Sequence, residues 1–260
     1  MRVGVTGVSI CAAGLPDWAT ARDVLRSDAR FDPANVRDPT AAPLPANERR
    51  RLPATARLAI GVGLEALQEA DADPARTATV FASCGSDGTI THQICEALAA
   101  NPVEVSPTRF HNSVHNAPAG YWGIALATRS PSTSLCAFED SFAMGLLEAA
   151  TQAVTEGTPV LLMAYDLPYP QPLAALWNVP GPFGTALVLD PDPSRGDGLS
   201  IDFVAGRTES AWPANVPQAL SAHPAAASLR VLALLADTGP DEAVLRCHAG
   251  SALVARRVRR

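Results

Sequence analysis

Glu139 and Asp140 stand side by side between an apolar stretch, Ser132-Thr-Ser-Leu-Cys136, and an alanine-rich run that ends at Gly157. Two adjacent carboxylates suit general acid–base chemistry. They equally suit the start of a helix, where Asp caps free N–H groups and negative charge meets the dipole. Cys136 lies just upstream. It is either a nucleophile or a small buried hydrophobe, and within a strand it gains nothing from a helix dipole. Cys11, Cys84, Cys95 and Cys247 show no paired spacing. They read as packing residues in a reduced, cytoplasmic protein.

Other residue groups suggest chemistry more weakly. His111 and His115 have the i, i+4 spacing of a zinc pair, but no third ligand stands near and Pro107 and Pro118 bracket an irregular stretch. The pair reads better as ordering a loop at a subunit interface, with Asn112 and Asn116 holding its backbone in turns. Gly85-Ser-Asp-Gly88 follows a strand but lacks the remaining glycines or the Gly-Lys-Ser/Thr of a phosphate loop. The serine-hydrolase elbow Gly-x-Ser-x-Gly is absent. Two arginine clusters, Arg49–Arg51 and Arg256-Arg257-Val-Arg259-Arg260, are either solvated faces or grips for an acidic protein. No motif calls for a metal or a cofactor.

The totals narrow the classes. A net charge of −6, with all 20 basic residues arginine, argues against nucleic-acid binding. With 47% hydrophobic and 18% charged residues, the 260 residues can build a sizeable core. No apolar run approaches a membrane span. Arg2–Ser9 reads as a first strand, not as a signal peptide.

These residues need elements to position them. Strands are expected at Val3–Ser9, Ala78–Ser83, Ser132–Cys136, Val160–Ala164, Thr185–Asp190, Leu199–Ala205 and Ala243–His248. Helices are expected at Ala19–Ser27, Ala54–Ala70, from Gly88 to about Ala100, Pro118–Ala127, after the elbow up to Gly157, and Ala225–Ala236. Residues 32–53, with five prolines, read as a surface excursion, and Leu167–Pro182 as a proline-rich loop. Strands alternating with helices predict an α/β fold: a mostly parallel mixed sheet covered by helices, in one domain.

In that order the segments resemble the N-terminal half of a β-ketoacyl synthase, of the thiolase superfamily, from residue 1 to about 206. The resemblance rests on the strand from Gly4 to Gly7, Arg57–Ala70, Val80–Gly88, Phe110-His-Asn-Ser-Val-His-Asn-Ala-Pro-Ala-Gly120, Gly157–Ala164 and Gly184–Asp190. Ser113–Gly120 and Glu139–Glu148 are closer still to the short, chain-length-factor-like subgroup found with aryl-polyene and related systems. The resemblance implies half of the duplicated αβαβα fold, with residues 199–260 as a small addition packed on it. In full enzymes a cysteine sits at the elbow, where the helix N-terminus favours thiolate. Here Glu139 or Asp140 takes that place, according to the register chosen, and a carboxylate carries no acyl thioester. The family's two catalytic histidines come from a C-terminal half that this sequence does not contain.

The implied role is non-catalytic: pairing with a full-length, cysteine-bearing ketosynthase and shaping or stabilising its acyl tunnel during elongation on acyl-carrier protein, which is met only indirectly. Half of a two-sheet fold is expected to expose an apolar face that a partner covers. The family dimerises through the strand that maps to Ser132, Thr133, Ser134 and Leu135. Trp122, Phe138, Phe142 and Met144 are candidates for a tunnel floor, or plain core residues. An alternative is a stand-alone decarboxylase or thioesterase using Cys136 or the Glu139/Asp140 pair on carrier-bound acyl groups.

Overall fold

The computed structural model describes residues 1–39, 43–175, 179–237 and 241–258. One eight-stranded sheet runs in the order β3-β2-β4-β5-β1-β6-β8-β7. Its strands are β1 (Arg2–Ala12), β2 (Ala78–Ala82), β3 (Ser132–Leu135), β4 (Val160–Asp166), β5 (Phe183–Asp190), β6 (Asp197–Ala205), β7 (Glu242–Arg246) and β8 (Ser251–Arg257). The helices are α1 (Trp18–Leu25), α2 (Ala46–Arg51), α3 (Ala54–Ala70), α4 (Gly88–Ala99), α5 (Pro107–Asn112), α6 (Ala117–Leu126), α7 (Ser141–Glu156) and α8 (Ser228–Leu235). Among the described residues no helix is long and apolar enough to cross a membrane.

Strand β4 shows how the two faces form. Val160, Leu162 and Ala164 point to a core shared with α1, α7 and α8. Leu161, Met163 and Tyr165 point to a second core beneath α3 and α6. A central strand buried on both faces reads as a continuous apolar run, as Val160–Ala164 does.

The mostly parallel sheet expected from sequence is not what forms. Only β2–β3 and β2–β4 are parallel, and the other five pairings are antiparallel. The reason lies in the connections. Crossover helices stand before β3 and β4, whereas β4 reaches β5 through the loop that begins at Leu167, and β5 turns into β6 across six residues. Residues 176–178 of that loop lie outside the described residues. Neither connection carries an α-helix among its described residues. β5 returns antiparallel to β4, and β5 and β6 each pair antiparallel with β1.

Two further elements were not expected. Pro107–Asn112 is a helix, capped by the Ser106 side chain, which accepts from the Arg109 N–H. The C-terminal arginine run was read as a solvated or docking cluster, but Arg256 and Arg257 belong to β8. Arg256 pairs with Asp202 and Glu242, and Arg257 with Asp197 and Asp237. Opposite charges on neighbouring strands hold both guanidinium groups in the sheet. Arg259 and Arg260 lie outside the described residues.

Nor is the face over α7 left bare. The stretch around Ala225–Ala227 packs on it, and of the large apolar side chains on α7 only Val154 is exposed. Of the exposed large apolar residues, Leu98, Val103, Phe110, Val114 and Ile124 precede β3 in the chain and Phe138 follows it.

The sheet's two ends differ. Among the described residues no backbone bond reaches the outer edge of β3. At β7 the Ser210 N–H donates to the Val244 carbonyl at 3.0 Å, and the Val244 N–H donates to Ser210 Oγ at 2.8 Å.

Helix α7 lies tight on the sheet through Gly145, where an added Cβ would come 2.8 Å from Ala82 Cβ and 2.9 Å from Leu162 Cδ1. Gly145→Val is expected to destabilise the fold by about 1–3 kcal/mol through overpacking. Urea denaturation, with Gly120→Ala as a control because nothing lies within 4 Å of its Cβ position, checks this.

Candidate functional site

The elbow is built where β3 stops. After Leu135 the chain passes through Cys136 and Ala137 into a 3-10 turn, Phe138–Asp140, and then into α7. Phe138 has φ +49°, in the left-handed region that a bulky residue rarely enters. Ser141 ties the turn together: its hydroxyl donates to the Phe138 carbonyl at 2.7 Å and accepts from the Ala137 N–H at 3.1 Å.

Neither carboxylate caps α7. Asp140 occupies the cap position but makes no side-chain bond to the helix. Its Oδ2 accepts instead from the His248 backbone N–H at 2.7 Å. Glu139 projects outward, 73% exposed, and meets Arg246 at 3.8 Å. The partners at the turn between β7 and β8 outcompete the local N–H groups. An exposed pair at that distance contributes little to stability.

Cys136 sits just past the end of β3, exposed, and its thiol donates to the Cys84 carbonyl at 2.6 Å. Cys84 is buried, and burial first, then the nearby Asp166 charge, push its thiol up to about 12. It is inert as a nucleophile at neutral pH.

Beneath the elbow lies a carboxylate that sequence reasoning missed. Asp166, at the end of β4, is almost fully buried. It accepts from the Cys84 N–H at 2.8 Å, the Ser83 hydroxyl at 3.1 Å and the Ala225 N–H at 3.2 Å. Burial drives its pKa up to about 7 against the pull of these donors. Two residues before Ala225, His223 is buried against Phe183, the ring centroids 5.5 Å apart. Burial lowers its pKa to about 4. The Gly181 backbone pulls slightly the other way, yet neither ring nitrogen meets hydrogen-bond geometry with any group. A cavity of about 240 Å³ runs between the elbow and this stretch, lined by Glu139, Asp140, Glu209, His223, Arg230 and Arg246 among others. The only sequence signal for Asp166 is a charged residue closing an apolar strand.

The remaining candidates do not converge on the elbow. Phe142 is fully buried beside the sheet and Met144 half-buried, both on the α7 side. Trp122 is buried across the sheet, edge-on to Phe81 at 6.3 Å. One tunnel wall therefore cannot hold all of them. Phe138 is 60% exposed. On β3, Ser132 is exposed while Thr133, Ser134 and Leu135 are half-buried, and Thr133 Oγ1 accepts from Gln152 Nε2 at 2.9 Å. Asn112 is buried: its Nδ2 donates to the Arg51 carbonyl and its Oδ1 accepts from Tyr121. His111 is exposed and lies edge-on to Tyr121. His115 is half-buried with both nitrogens unpartnered, and burial lowers its pKa. Asn116 is exposed at the start of α6 and makes no cap bond. Among the described residues no three His, Cys, Asp or Glu side chains converge as a metal site.

The sheet has the leading order 3-2-4-5-1 and a strand–turn–helix elbow between β3 and α7, with carboxylates and no thiol at its turn. The family described as "Beta-ketoacyl synthase, N-terminal domain" matches residues 22–248, and the chain belongs to it. Among solved structures, a chain of the complex of the ketosynthase ApeO with its chain length factor ApeC, from Xenorhabdus doucetiae, is similar at 25% identity. The match covers 99% of this chain and 100% of that one, with a TM-score of 0.71. The ishigamide ketosynthase/chain length factor matches at 15% identity, covering 98% of each chain, with a TM-score of 0.72. A β-ketoacyl synthase from Burkholderia phymatum shares the fold at 11% identity, covering 99% and 100%, with a TM-score of 0.69. No curated protein matches.

Asp166 and His223 titrate in opposite senses. Below about pH 7 the folded state holds a proton on Asp166 that the unfolded chain, with an ordinary pKa of 3.8, releases. Below pH 6.5 the unfolded chain protonates His223, and the folded state does not until about pH 4. Between about pH 6.5 and 4 the two contributions cancel. Asp166→Asn is therefore expected to lose stability as pH falls through that window. His223→Gln is expected to gain it. Urea midpoints at pH 4.5, 5.5 and 7 check both signs.

Proposed function

We propose that this chain is a non-catalytic, chain-length-factor-like subunit that pairs with a complete, cysteine-bearing β-ketoacyl synthase. It shapes or stabilises that enzyme's acyl tunnel while the partner carries out decarboxylative elongation on acyl-carrier protein. The observation that carries the reading is the elbow itself. A turn preceding a 16-residue helix presents Glu139 and Asp140 where an acyl-thioester chemistry needs thiolate, and both carboxylates are engaged by the β7–β8 turn. The similar chain from the ApeO–ApeC complex supports a partner role. So does the edge of β3, which no backbone bond reaches among the described residues. We read residues 1–260 as one ketosynthase-like domain, with 199–260 an addition that prolongs the sheet through β6, β8 and β7.

Co-expression with a ketosynthase from the same organism tests the pairing. The expected result is a one-to-one complex by size exclusion that is active only while the partner's cysteine is intact. Turnover of acyl-carrier substrates by this chain alone would defeat the reading, and thiol labelling of Cys136 by a substrate-like electrophile would then identify the nucleophile.

Of the four tunnel candidates we read Phe138, the exposed one, as the side chain that would reach a partner's tunnel. Phe138→Ala is expected to shift the product chain-length distribution while leaving the unfolding midpoint nearly unchanged. Phe142→Ala is expected to cost about 3–5 kcal/mol of stability, as buried phenylalanines do. Mass spectrometry of products and denaturation of both variants check the contrast.

A further inference from the structure

Seven of the described non-glycine residues have a positive φ. Six of them are Ser, Asp or Ala, and the seventh is Phe138 at +49°. Short side chains enter the left-handed region at modest cost, whereas a bulky residue there is strained. Burial offsets only part of that strain, because Phe138 is left 60% exposed. The turn alone does not call for this residue, since Gly or Asn would make it at less cost.

Two backbone groups on either side of the Phe138 Cα meet at one hydroxyl. Ser141, buried at the start of α7, donates its O–H to the Phe138 carbonyl at 2.7 Å, and its Oγ accepts from the Ala137 N–H at 3.1 Å. The Ser141 N–H also donates to the Phe138 carbonyl, and the Asp140 N–H donates to the Ala137 carbonyl at 2.9 Å. The ends of the turn are held further out. Cys136 donates its thiol proton to the Cys84 carbonyl just beyond β2, and Asp140 accepts from the His248 N–H. A backbone in a costly conformation persists where its surroundings over-determine it. The Ser141 hydroxyl supplies two of those constraints from a side chain, so a substitution can remove them without touching the ring.

We infer that Ser141 is a positioning residue: its hydroxyl locks the Phe138 backbone in the left-handed conformation that holds the ring out from the elbow, and so sets product chain length through Phe138. The inference rests on the proposed reading of Phe138 as the side chain that reaches a partner's tunnel. It adds the residue that fixes where that ring stands. Without the hydroxyl, the Ala137 N–H loses its acceptor and Phe138 can relax towards negative φ, which swings the ring away from its present direction.

The test pairs the full chain with a ketosynthase from the same organism and reads product chain lengths by mass spectrometry. The variants are Ser141→Ala, Ser141→Thr, Phe138→Ala and the double variant S141A/F138A. Unfolding midpoints show that each is folded, and if Ser141→Ala does not fold, Ser141→Cys, a poorer donor, takes its place. Hydrogen exchange at the Ala137 amide, in the chain alone, reads the hold directly. Ser141→Ala is expected to shift the chain-length distribution in the direction of Phe138→Ala, and Ser141→Thr to keep the wild-type distribution. The double variant is expected to match Phe138→Ala. Ala137 exchange is expected to quicken by about tenfold in Ser141→Ala. Wild-type products from Ser141→Ala, unchanged Ala137 exchange, or a double variant that adds the two shifts would each overturn the inference and leave the pairing standing. If Phe138→Ala makes wild-type products within a formed complex, the reading of Phe138 fails, and if no complex forms the pairing itself fails. In both cases this inference falls too.

Discussion

A buried carboxylate with three donors and no cation holds this fold together at its functional end. Asp166 closes β4, takes one bond from each of two consecutive residues at the end of β2, and a third from Ala225 in the chain that follows β6. Leaving such a group half-satisfied in the interior costs several kcal/mol, so its donors are fixed in place. That geometry sets the ends of β2 and β4 level with each other. It also docks the Ala225 stretch over α7. The elbow then has a floor on one side and a wall on the other.

The stretch after residue 199 consequently does two tasks. It covers the face of α7, and it occupies the elbow. His248 gives its N–H to Asp140, and Arg246 stands over Glu139. At the N-terminus of α7 the carboxylate lone pairs are directed at the chain's own backbone and at an arginine. Of the neighbouring thiols, Cys84 is buried and disfavours ionisation, while Cys136 donates to a carbonyl.

Much of this was legible in the residues. The apolar spacing of Ala54–Ala70 and the strand-like run Val160–Ala164 translate directly into α3 and β4, because a helix or strand buried on most sides leaves a strong signal. The elbow was legible for the same reason. What was not legible depended on distant partners. Asp140 reads as a cap, yet its bond goes to His248, 108 residues away. Arg256 and Arg257 read as solvated charge, yet acidic neighbours on β6 and β7 make them strand residues. Phe142 and Trp122 both read as large side chains near the elbow, but no local pattern reports which face of a sheet a helix will cover. Strand direction after β4 was equally hidden, since it follows from which edge a loop returns to.

The unequal ends of the sheet carry a consequence for assembly. Exposed strand edges are templates for unlimited growth unless something stops them. Among the described residues Ser210 covers the β7 rim at Val244, and no backbone bond reaches the rim at Ser132–Leu135. In the proposed pairing, a partner seated on the β3 rim would cover that edge.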